Sequence, residues 1–88
     1  MFTVVWSQSA NNQLTDVWMK ADSISRSVIT RYVAELDQHL RANGDRIGES
    51  REEGIRVLTD GPLGVACRVS ESDRLVTVVY VWFIPRRR

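Results

Sequence analysis

Apolar and polar positions follow different rhythms in successive parts of this chain. Phe2 to Trp6 is β-branched and aromatic, which predicts a short first strand. A polar stretch from Ser7 to Gln13 follows, with Ser7 or Ser9 placed to cap a helix. Ala10, Leu14, Val17, Trp18 and Ala21 recur at three- and four-residue spacing, giving one apolar stripe on a helix of about three turns. Asp22-Ser23 interrupts that helix and can cap a second one, in which Val28, Ile29, Tyr32, Val33, Leu36 and Leu40 share a face. Asn43-Gly44 then supplies a left-handed stop. So few residues join the two helices that they should form an antiparallel hairpin.

The second half of the chain changes period. Gly44 to Glu53 is polar and reads as a loop, Gly54 to Leu58 as a short strand, and Asp60-Gly61-Pro62 as a turn. From Leu63 to Ser70 the residues alternate, with Leu63, Val65, Cys67 and Val69 on one face and Gly64, Ala66, Arg68 and Ser70 on the other. After the polar connection Glu71 to Arg74, Leu75 to Phe83 is apolar on both faces, as expected for a central strand covered on both sides. The order strand, helix, helix, strand, strand, strand predicts an α+β fold. A helical hairpin packs on one face of a small, mostly antiparallel four-stranded sheet, with the first strand beside the last. No repeat or linker divides residues 1–88, which form a single domain.

Composition narrows the function classes. A chain of 88 residues can build one layered core, and 43% hydrophobic with 26% charged residues argues against disorder. One cysteine excludes an internal disulfide, and one cysteine with one histidine excludes a zinc finger. The start lacks the positive segment of a signal peptide, and the longest apolar run, Leu75 to Ile84, is of strand length. The reading is a cytoplasmic protein without membrane association, metal or cofactor. A net charge of +1 argues against a strongly basic nucleic-acid clamp. Eleven of the twelve cations are arginine, which suits forked recognition of phosphate or carboxylate but equally reflects a GC-rich codon bias.

The helices can cover one face of the sheet, so the other face should carry Ala66, Arg68 and Ser70. Arg56 would project from the neighbouring strand, and Arg51 lies in the loop feeding it. Three guanidiniums converging there would form an anion-binding surface. Alternatively, each pairs with a nearby acid such as Glu49, Glu52 or Glu53 and is merely solvated. His39 reads as a surface or boundary residue, Cys67 as a small core hydrophobe and Trp18 as core. Trp6 and Trp82, near strand ends, are either core or a stacking surface. No glycine-rich phosphate loop, metal-ligand spacing or Ser/His/Asp arrangement is present.

Several stretches resemble small toxins of the RelE/ParE superfamily. They are Phe2 to Trp6 followed by Ala10 and Leu14, then Pro62 to Val69 (PLGVACRV), then Arg74 to Trp82 (RLVTVVYVW). Gly48 to Arg51, Gly54 to Leu58 and Pro62 to Val65 look like a branch labelled plasmid-stabilisation or toxin-like. The resemblance implies a cognate antitoxin, a heterotetramer or higher complex with it, and growth inhibition. RelE-type members cut mRNA in the ribosomal A site, and ParE-type members poison DNA gyrase. A third possibility is a degenerate homologue that only binds an antitoxin-like partner. Arg56 matches a basic position of the family's second strand, and Arg68 the arginine of a Tyr-Arg-Val motif in which Cys67 replaces tyrosine. Gly64 stands near a place where RelE-like nucleases carry an additional arginine. Arg51, Arg56 and Arg68 are therefore the catalytic candidates, and Trp82, Arg86, Arg87 and Arg88 the substrate-binding ones. Attack by a 2′-hydroxyl also needs a base, here Glu49, Glu52 or Glu53, and an acid, here Tyr80 or a guanidinium.

Overall fold

The structure, a computed structural model, describes residues 1–85. The first strand, β1, spans Thr3–Trp6, and helix α1 follows at Gln8–Lys20. Ser7 caps α1, its hydroxyl accepting from the Ala10 amide at 3.0 Å. Helix α2 runs Ser23–Asn43, capped by the Asp22 carboxylate, which accepts from Ser25 N–H at 2.7 Å. The Arg26 guanidinium donates back to the Trp18 and Met19 carbonyls at 2.9 and 3.0 Å, satisfying the end of α1 from the start of α2.

Four further strands follow: β2 (Glu49–Glu52), β3 (Ile55–Leu58), β4 (Leu63–Ser70) and β5 (Leu75–Phe83). They form one mixed sheet in the order β1-β5-β4-β3-β2, with β1 parallel to β5 and the other pairs antiparallel. The first strand thus lies beside the last, as the sequence implied. The fold class holds, but the sheet has five strands, not four. The extra strand is the polar segment that reads as a loop: Glu49–Glu52 is exposed throughout and turns through Glu53-Gly54 into β3, with Gly54 at φ 80°. An edge strand with no face to bury has no apolar alternation to announce it, and its charges protect the edge.

Both helices pack on one face of the sheet. Leu63, Val65, Cys67, Val76, Val78 and Val81 point into that core with Ala10, Ile29, Leu36 and Leu40 from the helices. The helical stripes need correction at two places. Trp18 is 37% exposed, its ring covered by Arg26 at 4.4 Å and its indole N–H donating to Thr30 Oγ1 at 3.3 Å. Val28 is likewise exposed, and Ile29 takes the core position. Gly44 does not make a left-handed stop, since its φ of −56° is right-handed helical. Glycine is needed there for approach: a Cβ would stand 2.5 Å from Val76 Cγ2.

The strand expected to be covered on both faces is covered on one. β5 carries an irregularity between the pairs Ala66↔Tyr80 and Cys67↔Val78, which leaves Val79 as an extra residue. Val76 and Val78 before it and Val81 after it all reach the core. A bulge therefore explains why the sequence looks apolar in both phases. β1 pairs with β5 only as far as Val78. Beyond it the Val81 N–H donates to Gln13 Oε1 of α1 at 2.7 Å, so a helix side chain replaces the missing strand.

Candidate functional site

Cross-strand partners share a face, so the register decides which side chains meet on the uncovered side of the sheet. One row there runs Glu52, Ile55, Arg68, Thr77 and Val5, across β2, β3, β4, β5 and β1. The next row is Glu49, Val57, Ala66 and Tyr80, and the third is Gly64 and Trp82. Arg68 and Tyr80 are diagonal neighbours on adjacent strands, both exposed to solvent. Such diagonals lie about 7–8 Å apart, within reach of long side chains. Tyr80 and Trp82 stack with ring centroids 5.8 Å apart and a tilt of 38°. Together they present a guanidinium beside an aromatic pair on an open surface.

Gly64 makes this platform possible. A Cβ at that position would collide with the Trp82 indole, which lies flat over the glycine. The space a side chain at position 64 would fill is therefore taken by the ring of Trp82. Of the two sequence readings for the strand-end tryptophans, Trp82 is on the open face and half-buried. Trp6 packs against the core.

The three arginine candidates do not converge. Arg56 pairs with Cys67, a core-facing residue, and so projects from the helical side of the sheet, opposite to Arg68. Its guanidinium donates to three loop carbonyls: Nε to Ile47 at 2.6 Å, and Nη2 to Gly48 at 3.1 Å and Arg46 at 3.2 Å. That fork ties the polar segment after α2 to β3. Arg51 sits at the register shift of β2, and its Nε bonds Glu49 Oε1 at 2.9 Å in an exposed pair. Only Arg68 of the three stands beside the aromatic platform. Arg86, Arg87 and Arg88 lie outside the described residues.

The proton-transfer candidates are also separated. Glu52 is two strands from Arg68 along its row, and Glu49 is three strands from Tyr80. At a strand spacing of about 4.8 Å these are backbone separations of roughly 10 and 14 Å. Glu52 is the better placed of the two, while Glu53 lies in the β2–β3 turn. Cys67 is fully buried, and burial pushes its thiol up to about 12, which makes it a core residue and not a nucleophile. His39 is exposed on α2.

No family model and no curated protein matches the sequence. Solved structures do match the fold. The chain superposes on one from the RelBE2 toxin–antitoxin complex of Mycobacterium tuberculosis with a TM-score of 0.73 at 19% identity, covering 94% of this chain and 98% of that one. A chromosomal ParDE toxin–antitoxin system from P. aeruginosa gives 0.61 at 16% identity, covering 97% and 98%. The isolated E. coli RelE toxin gives 0.60 at 15%, covering 100% and 89%. This chain has the RelE/ParE fold. The likeness extends over nearly the whole of each chain.

Among the described residues no cluster of His, Cys, Asp and Glu could hold a metal ion. Nor, among the described residues, is any helix long and apolar enough to cross a membrane.

Proposed function

We propose that this chain is the toxin of a toxin–antitoxin pair and that it cleaves mRNA on the ribosome through the open face of its sheet. The observation that carries the proposal is the grouping of Arg68, Tyr80 and Trp82 on a solvent-open surface of a RelE/ParE fold. Exposed aromatic rings beside a guanidinium suit single-stranded RNA, whose bases stack and whose phosphates take the forked charge. In the mechanism, the Arg68 guanidinium holds the scissile phosphate and stabilises the charge that builds on it as the 2′-hydroxyl attacks. The Tyr80 phenol, one diagonal step away, donates a proton to the leaving oxygen, and Glu52 reaches over Ile55 as the base. The ribosome supplies the substrate alignment that one small sheet cannot. The protein acts in the cytoplasm, held silent by a cognate antitoxin in a heterotetramer or a larger complex.

A ParE-type inhibitor of gyrase is the second reading. It is favoured by the engagement of Arg56 with loop carbonyls, which removes one of the three candidate guanidiniums from the open face. Induction in a bacterial host, with translation and plasmid supercoiling followed in parallel, separates the two. Early translation arrest with cleaved transcripts is expected. Loss of supercoiling with translation intact would replace the nuclease with the gyrase inhibitor, and unaffected growth would leave a partner-binding homologue.

A further inference from the structure

Away from Arg68 and the aromatic pair, a groove of about 670 Å³ separates α2 from the end of β3 and reaches Glu49 and Val57 at the β2–β3 edge of the sheet. One wall is a stripe of α2 containing Tyr32, Glu35 and Leu36; the other includes Ile47, Leu58 and Asp60. The volume falls within the range of binding clefts, about 300–1,000 Å³. Its chemistry is lopsided. Apolar side chains make the floor and the carboxylates of Glu35 and Asp60 stand on the two walls; His39 is the one basic residue among the described lining residues, with no lysine or arginine. Glu35 and Asp60 are exposed and form no ion pair among the described residues, whereas Glu49, also on the rim, is held by Arg51. The Tyr32 hydroxyl is screened from solvent and has no hydrogen-bond partner among the described residues, next to a turn whose Gly61 lies against its ring.

We propose that this groove is a docking site for a cationic amphipathic segment of a partner protein. Apolar side chains of that segment settle on Leu36, Ile47 and Leu58, and its lysine or arginine heads lie beside Glu35 and Asp60. Charge complementarity selects this occupant. The carboxylates repel a phosphate backbone, which excludes nucleic acid from this groove, and an acidic segment would meet the same repulsion. The groove is thereby an address for protein whose lining includes none of Arg68, Tyr80 and Trp82, and the inference does not rest on the proposed activity.

The test uses the full chain, isotope-labelled for NMR, and a synthetic Leu/Lys peptide of helical periodicity. A Leu/Glu peptide of equal length is the control. The Leu/Lys peptide should shift amides of residues 32–39, 47–48 and 58–60 and leave those of Arg68 and Tyr80 in place. Affinity should fall at least roughly tenfold in the double variant Glu35→Lys, Asp60→Lys, and fall with added salt. Both positions are exposed, so the variant should melt like the parent; Glu35→Gln with Asp60→Asn gives an intermediate loss by removing charge alone. The proposal is overturned if the Leu/Lys peptide does not bind, if the Leu/Glu peptide binds equally well, or if charge reversal changes nothing. Shifts confined to the open face, or self-association of the chain through the groove, would also overturn it. Peptide binding retained in Arg68→Ala separates this result from the fate of the nuclease reading.

Discussion

Arg56 and Arg68 sit on neighbouring strands, and a single step of register separates their roles. Were the two strands displaced by one residue, Arg56 would share a face with Arg68; as paired, Arg56 faces with Cys67 and Leu58 with Val65. Arg56→Ala should therefore lower stability by about 1.5–3 kcal/mol, the scale for charge-assisted hydrogen bonds lost from one side chain. Arg68→Ala should stay within about 0.5 kcal/mol of the parent, as for exposed substitutions. Urea melts of the two variants check both statements. Gly64→Ala makes the third residue-scale test, because a methyl group there must displace the Trp82 indole. Its tryptophan emission should shift to the red relative to the parent, with a loss of stability. An unchanged spectrum would mean that the ring does not lie on the glycine. The direction of Arg68 was legible from alternation along one strand. That of Arg56 was not, because Ile55 with Val57 and Arg56 with Leu58 each mix with the pattern, and the deciding pairing is between strands.

The secondary-structure elements show where local pattern stops being sufficient. The caps were readable, since Ser7 and Asp22 are cap-forming residues immediately before apolar stripes. The Asp22 carboxyl is held below its ordinary value of 3.8, chiefly by the hydrogen bond from the Ser25 amide. A carboxyl lowered in the folded state adds stability above its unfolded value and loses it as pH falls through the lower folded value. The stability gap between the parent and Asp22→Ala should accordingly be widest above pH 3.8 and close as acid is added below it. Equal gaps at neutral and strongly acid pH would show that the charge is not what caps α2. The β5 bulge and the β2 edge strand were not readable. A bulge lets both phases of a strand carry valine, and an edge strand exposed on every residue carries no apolar phase. Gln13 is invisible to pattern for a related reason, as its partner Val81 is 68 residues away in sequence. Gln13→Leu should leave that amide without an acceptor, costing about 1–3 kcal/mol. Hydrogen exchange at Val81 should accelerate while the amides of β4 keep their protection.

At the scale of the molecule, the two helices and five strands of the described residues leave two surfaces with different chemistry. The open side of the sheet offers Arg68, Tyr80 and Trp82, and the gap between α2 and β3 offers an apolar groove rimmed by Glu35 and Asp60. The sequence carried the layered α+β architecture because element order and period constrain it strongly. It also placed Arg68 and the possibility of a stacking Trp82. It could not show that the three arginines part company, since that depends on strand pairing and on which loop carbonyls need a donor. Arg56 is the instructive case: a cation at a family-like position anchors a loop. Among the described residues, the arginine beside the aromatic pair on the open face is Arg68. The most direct measurement is the rate of translation, by pulse labelling, after induction of the parent and of Arg68→Ala at equal levels of folded protein. The loss of one charge-assisted phosphate contact, about 1.5–3 kcal/mol, predicts that the variant arrests translation roughly one to two orders of magnitude more slowly. Translation arrest by Arg68→Ala at the parental rate would contradict the assignment of activity to the open face of the sheet.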